Sequence, residues 1–192
     1  MRNKIAFFLL MSAVAVLAAL AVDLPVLRAL HGVTVHENDA YRMFRVMGFL
    51  PGWLLVALAF GLLDAPRLRR MWMMAAGVIL SGAAGEVLKL AFRRQRPTTL
   101  DCLYQYVPWH GLSTAGLSLP STHVIVAFGG AWVLCRLHPR GWPVWVALAT
   151  GCAVTRVISR AHFVSDCVAA ALVSYAVVWL VNRWWTPRAP SE

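Results

Sequence analysis

Charge is what this chain has least of. Only eight of its 192 residues are acidic, and 14% are charged in all; soluble domains carry about a quarter, so an ordinary water-soluble domain is excluded. The four cysteines, Cys102, Cys135, Cys152 and Cys167, lack the close spacing of a zinc ribbon. Three of them sit in apolar segments and read as free, buried thiols. No long basic stretch is present either, so the formal charge of +10 does not describe a nucleic-acid binder; the basic residues fall at the ends of apolar runs. With no internal repeat and no low-complexity tract, residues 1–192 read as a single domain.

Apolar sequence is what fills the chain. It is 60% hydrophobic with nine Trp and has a mean hydropathy of +0.65, the composition of a multi-pass membrane protein. At roughly 20 residues per span, the expected architecture is all-α: a six-transmembrane-helix bundle with spans at about 5–22, 44–63, 71–92, 121–137, 142–159 and 163–183. The first run follows Arg2 and Lys4. Although Ala19-Leu20-Ala21 looks faintly like a signal-peptidase site, the run exceeds the roughly 7 to 15 residues of a signal core, so it is expected to stay as a span. From Trp142 to Trp185 the sequence is almost uninterruptedly apolar. As one helix it would be about 60 Å long, twice the bilayer's hydrocarbon core, so it must turn back. The cluster of Arg156, Arg160 and His162 is the place for that turn, although no Gly or Pro marks it.

Basic residues near Met1, at 67–70, at Arg136 and Arg140, and at Arg183 and Arg188 all fall on one side of this arrangement, which makes both termini cytoplasmic. The opposite side holds an acidic loop with Asp23, Glu37 and Asp39. It also holds Arg93, Arg94, Arg96, Arg156 and Arg160, against the orientation rule. Cations placed against topology need another purpose, and binding an anion fits.

Three strings define that purpose: Lys89 followed by Arg96-Pro97; Pro120-Ser121-Thr122-His123; and Thr155-Arg156 followed by His162 and Asp166. The expected spans bring all three to one outer face. His162 and Asp166 are four apart and share a helix face, where the carboxylate can accept the Nδ1 proton and free Nε2 for attack; by itself such a pair also serves to stabilise a helix start. Pro120 to His123 is the arrangement of a helix N-terminus, where unpaired N–H groups favour an anion; taken alone, a capping Ser beside a buried His explains it too. Arg96 and Arg156 offer planar forks for phosphate oxygens, and Lys89 adds a point charge, either freely or as an intrahelical partner of Glu86.

The strings resemble the signature of the type-2 phosphatidic acid phosphatase superfamily, the lipid phosphate phosphatases: Lys-x6-Arg-Pro, Pro-Ser-Gly-His and Ser-Arg-x5-His-x3-Asp. The resemblance implies that His162 is a nucleophile forming a phosphohistidine, that Asp166 orients it, and that His123 protonates the leaving oxygen. Lys89, Arg96, Ser121, Thr122 and Arg156 are then phosphate ligands. It implies no metal and no cofactor, and as partners a phosphorylated lipid substrate and membrane lipids; the oligomeric state is not readable. Two positions depart from the pattern: Thr122 stands for Gly, narrowing the approach to a backbone N–H, and Thr155 stands for Ser with the hydroxyl retained.

Arg93, Arg94 and Arg160 lie outside the signature, either as contacts to a second phosphate or anionic headgroup or as snorkelling anchors. Tyr104, Tyr106 and Trp109 read as interfacial aromatics or the lining of a lipid entrance. The expected function is a lipid phosphatase of a bacterial plasma membrane, its site facing the periplasm or cell exterior. The expected substrate is undecaprenyl diphosphate, phosphatidylglycerol phosphate, phosphatidic acid or a lipid A phosphate, with the extra arginines favouring a diphosphate. The rivals are a lipid-to-lipid phosphotransferase of the same superfamily and a transporter or scaffold whose intramembrane charges line an ion path. Metal ligation by His123, His162 and Asp166 is disfavoured by the cations around them.

Overall fold

The protein is described from a computed structural model covering residues 2–64, 68–97, 104–109 and 111–185. Arg67, Cys102 and Arg188 lie outside the described residues, and so do the side chains of Arg2 and Lys4. Among the described residues seven α-helices follow one another: α1 (Arg2–Ala29), α2 (Asp39–Val46), α3 (Leu50–Leu63), α4 (Arg69–Phe92), α5 (Thr122–Leu137), α6 (Trp142–Ile158) and α7 (Val164–Trp185), with one 3-10 turn at Pro139–Gly141. The described residues contain no strand, only isolated bridges joining Arg94 to Tyr106 and Gln95 to Leu117.

α5 is the axis of the bundle. It packs on α4, α6 and α7, and ten of its residues, from Val124 to Leu134, are buried. Apolar surface gains nothing by leaving lipid for a protein core, so helices in a bilayer associate through close packing at small residues. Gly130 shows this: a Cβ there would stand 2.4 Å from the Trp53 ring of α3, so only glycine lets the indole lie on the helix backbone. The outside is apolar in turn, with Phe7, Leu10, Leu55, Leu63 and Val87 exposed, as expected where the surrounding solvent is lipid.

Among the described residues four helices (α1, α4, α6 with its 3-10 turn, and α7) are long and apolar enough to cross a membrane, and α2 with α3 makes a fifth if that pair, bent by 65°, is one span. α5, at 16 residues, is about 24 Å long and shorter than a usual span. Two expectations change. α1 runs on past residue 22 to Ala29, carrying Asp23 and Pro25 inside the helix; Asp23 is therefore not in an outer loop, and it is 1% exposed. The span expected at 44–63 is divided at an elbow, because Leu50-Pro51 starts a new helix and α2 turns away to lie on α6. Of the cysteines, Cys152 and Cys167 are buried free thiols and Cys135 is a half-buried one.

Candidate active site

The three strings meet where α4 ends, α5 begins and α6 turns into α7. α6 stops at Ile158 and α7 starts at Val164, so the expected reversal is present. It is made without glycine by Arg160, whose φ of 53° is left-handed. The N–H groups of Ala161 and His162 both return to the Arg156 carbonyl, at 3.1 and 3.3 Å, closing the helix end as a left-handed cap does. Arg160 is exposed, a turn residue rather than part of the buried cluster. Arg156 and His162 thereby come to one site although six residues separate them.

His162 is 3% exposed. Its Nδ1 hydrogen bond, expected to go to Asp166, goes instead to the Ser118 carbonyl at 2.9 Å; Asp166 Oδ2 stands 3.7 Å from the ring nitrogen, beyond hydrogen-bond range. Since a carbonyl only accepts, Nδ1 carries the proton and Nε2 keeps its lone pair. Burial is the largest influence on the imidazole and pushes its pKa below the ordinary value, with Arg156 and Arg96 acting the same way and Asp166 opposing. At neutral pH the ring is neutral, the state a nucleophile needs.

Asp166 is fully buried and knits the site together. Its Oδ2 accepts from the Phe163 N–H at 2.8 Å and from the Ser118 hydroxyl, and its Oδ1 accepts from Arg94 Nη1 at 2.8 Å. Arg94 is 1% exposed. It donates to Ser165 Oγ at 2.7 Å and to Asp23 Oδ2 at 3.0 Å, with its guanidinium 3.8 Å over the Phe163 ring. Arg94 is therefore a buried cross-brace, its guanidinium engaged by Ser165, Asp166 and Asp23. Arg93 is likewise engaged: a left-handed cap at φ 47°, it donates to the Val107 and Pro108 carbonyls at 2.7 and 2.6 Å and lies 4.8 Å from the Trp109 ring. It fastens the loop that follows α4.

Lys89 is 5% exposed and donates to Glu86 Oε1 at 3.2 Å, the intrahelical pair its spacing offered. Thr122 Oγ1 donates to the same oxygen at 2.7 Å. The residue that departs from the signature thus ties the start of α5 to α4 through its hydroxyl. His123, next in sequence, is half-buried and lies within electrostatic reach of Arg156, His162, Arg45 and Lys89. The elbow before α3 presses on it: a Cβ on Gly48 would come within 2.7 Å of the His123 Cβ and 2.9 Å of its Cα and carbonyl oxygen.

Arg96 Nε, Arg156 Nε and Ser121 Oγ are buried without any hydrogen-bond partner. Buried polar groups are nearly always satisfied; these three donors come from the strings expected to hold phosphate, and Arg93 Nη1 nearby in the chain is unpartnered as well, as are single atoms of Ser12, Asp64, Ser81 and Trp145 away from the strings. Sequence reasoning missed the braces Asp23, Ser118 and Ser165, and the approach of α2, whose Arg45 and Tyr41 act electrostatically on Arg156. An acidic residue inside an apolar run was the available signal for Asp23; Ser118 has none.

The PAP2 superfamily model matches residues 70–190, which contain all three strings. Decaprenylphosphoryl-5-phosphoribose phosphatase of Mycobacterium tuberculosis is 32% identical over 116 residues, 60% of this chain and 61% of that protein. Its counterpart in Mycolicibacterium smegmatis is 31% identical over 118 residues, 61% of each. The chain thus spans about 61% of the length of the curated relatives it matches. A transmembrane PAP2-type phosphatidylglycerolphosphate phosphatase from Bacillus subtilis superposes with a TM-score of 0.62 at 19% identity, covering 95% of this chain and 94% of that one; at that identity the likeness is one of fold.

Proposed function

Because the chain belongs to the PAP2 superfamily, we propose that it is an integral membrane lipid phosphatase working through a phosphohistidine. The observation that carries this is the set of orphan donors, Arg96 Nε, Arg156 Nε and Ser121 Oγ, in one cluster with a buried histidine whose Nε2 is free. The phosphate lies against Arg96, Arg156, Lys89 and the start of α5 at Ser121 and Thr122. His162 Nε2 bonds to phosphorus as the bond to the lipid oxygen breaks, and His123 gives that oxygen its proton. Water then attacks phosphorus, the P–N bond breaks, His162 recovers its lone pair and the water's proton passes to His123. No metal takes part in this scheme, since Lys89, Arg96 and Arg156 around the histidines repel one.

In the membrane the chain forms one domain of six spans, with α5 as the short central one, both termini cytoplasmic and the site on the outer face of a bacterial plasma membrane. The substrate we propose is a phosphomonoester on a lipid headgroup, like those in the names of the mycobacterial and Bacillus relatives. A diphosphate loses support from Arg94, which two carboxylates hold; Arg93 is held through Nε and Nη2 while its Nη1 has no hydrogen-bond partner.

The test is inorganic phosphate release by detergent-purified protein from decaprenylphosphoryl-5-phosphoribose, phosphatidylglycerol phosphate, phosphatidic acid and undecaprenyl diphosphate. Release from a monoester without an acceptor lipid, blocked by vanadate as a transition-state mimic and untouched by chelators, is the expected result. Phosphate moving only to an added acceptor lipid would make the protein a transferase.

Gly48 gives a second check on the site. Its replacement by Ala sets a methyl group against the His123 backbone, which cannot swing aside, so α5 must shift at its first turn. A displacement of about 1 Å near the reacting groups costs about 100-fold in rate. Gly48→Ala is therefore expected to lower kcat by about that factor while thermal unfolding in detergent changes little. Unchanged kcat would mean that the elbow does not position His123.

A further inference from the structure

Asp166 does not have Arg94 to itself. Arg94 spans two carboxylates through separate nitrogens: Nη1 to Asp166 at 2.8 Å and Nη2 to Asp23 at 3.0 Å. Asp23 also accepts from the Ser165 N–H at 2.9 Å and from the Ser165 hydroxyl, and Ser165 adjoins Asp166 in the first turn of α7. Asp23, Arg94 and Asp166 are all 1% exposed or less. Asp23 belongs to α1, outside residues 70–190 that match the family. The brace therefore reaches the catalytic centre from a part of this chain that the family match does not cover.

The charges in this cluster do not cancel. Among the described side chains two carboxylates share one guanidinium, which by formal charge leaves an excess of one negative charge, and the His162 Nδ1 is 3.7 Å from Asp166. Without the Asp23 charge, Arg94 would neutralise Asp166 outright. We propose that Asp23 is a positioning residue for catalysis: by sharing Arg94 it leaves Asp166 with negative charge to stabilise the positive charge that grows on His162 as Nε2 bonds to phosphorus. The inference rests on the proposed role of His162 as nucleophile.

The charged groups facing His162 are Asp166 from α7, Arg156 from α6 and Arg96 from the segment after α4, with His123 at the start of α5; Arg94 and Asp23 act through Asp166. Of these, Asp166 and Asp23 favour the protonated ring and the others oppose it. Asp23→Asn removes a favourable charge, so His162 should protonate only at lower pH, by roughly half to one pH unit. The paired variant Asp23→Asn/Arg94→Gln removes both charges. It frees Asp166 completely, so the same titration should move to higher pH than in the unaltered protein. Ser165→Ala breaks hydrogen bonds of the brace without changing its charge, and should leave the titration where it was.

The experiment is the NMR titration of isotope-labelled histidines in the detergent-solubilised full chain, with His162 assigned by its loss in His162→Gln, alongside the acid limb of kcat/KM. Opposite shifts in the single and paired variants, with the kcat of Asp23→Asn down about tenfold and restored by Asp23→Glu, are expected. A structural role alone would lower the unfolding temperature without moving the titration, so an unmoved titration in both variants overturns the inference. If Asp23→Asn fails to fold, the paired variant decides: an upward shift supports the inference and no shift overturns it. Because the titration needs no substrate, shifts as expected together with no phosphate release from any lipid would overturn the phosphatase reading and not the electrostatic coupling.

Discussion

His162→Ala is expected to abolish phosphate release, lowering kcat by at least about 10,000-fold, the scale seen when a nucleophile is removed from a preorganised site. The loss is that large because no other group can take the place of Nε2. Asp166 is buried behind the ring and spoken for by Arg94, Ser118 and the Phe163 N–H, and the lysine and arginines nearby are cations. His123→Ala should cost less, about 100- to 10,000-fold, the usual range for general acid catalysis. Its effect should also depend on the substrate. With p-nitrophenyl phosphate, whose leaving oxygen needs little help from an acid, His123→Ala should approach the unaltered protein, whereas His162→Ala stays inactive because phosphorus still lacks its nucleophile. Measuring both variants on the aryl phosphate and on the lipid separates the two roles. Retained activity in His162→Ala on either substrate would end the phosphohistidine mechanism.

The parts of this site that the sequence exposed are those whose chemistry is local. The spacing of His162 and Asp166 put both on one helix face; α7 begins only at Val164, so His162 precedes the helix, but the ring still comes within 3.7 Å of the carboxylate. The apolar stretch from Trp142 to Trp185 had to reverse, and it reverses at Arg160. What stayed hidden is decided by distant partners. Asp23 read as part of an outer acidic loop because the sequence shows its charge but not Arg94, 71 residues away, that satisfies it. For the same reason Arg93 and Arg94 looked free to meet a second anion. The imidazole's acceptor was misjudged because a backbone carbonyl, at Ser118, leaves no mark in the pattern of residue types. The elbow at Gly48 had a sign in Leu50-Pro51, but hydropathy alone does not distinguish a bent pair of helices from one span.

Arg94→Met should be the most destabilising single change among these groups. It leaves Asp23 and Asp166, both shielded from solvent, facing each other with no cation between them. Removing one partner from a buried ion pair costs about 3–5 kcal/mol, which for a chain of this size corresponds to a fall of about 6–20 °C in unfolding temperature. Lysine should not rescue it, since one ammonium on a flexible stem cannot bridge two carboxylates through separate nitrogens or lie flat over the Phe163 ring. Arg93→Met, next in the chain, loses hydrogen bonds to two carbonyls on a loop whose Pro108 and Trp109 are exposed, and its fall should be a few degrees at most. The contrast isolates the paired carboxylates as the cause, because both arginines are buried and both substitutions delete the same guanidinium, but only Arg94 faces two carboxylates. Equal unfolding temperatures for the two variants, measured in the same detergent, would mean that the Asp23–Arg94–Asp166 brace carries little of the stability; a large gap would mean that the hydrogen bonds of Ser165 to Asp23 do not hold the first helix to the α6–α7 turn without this arginine.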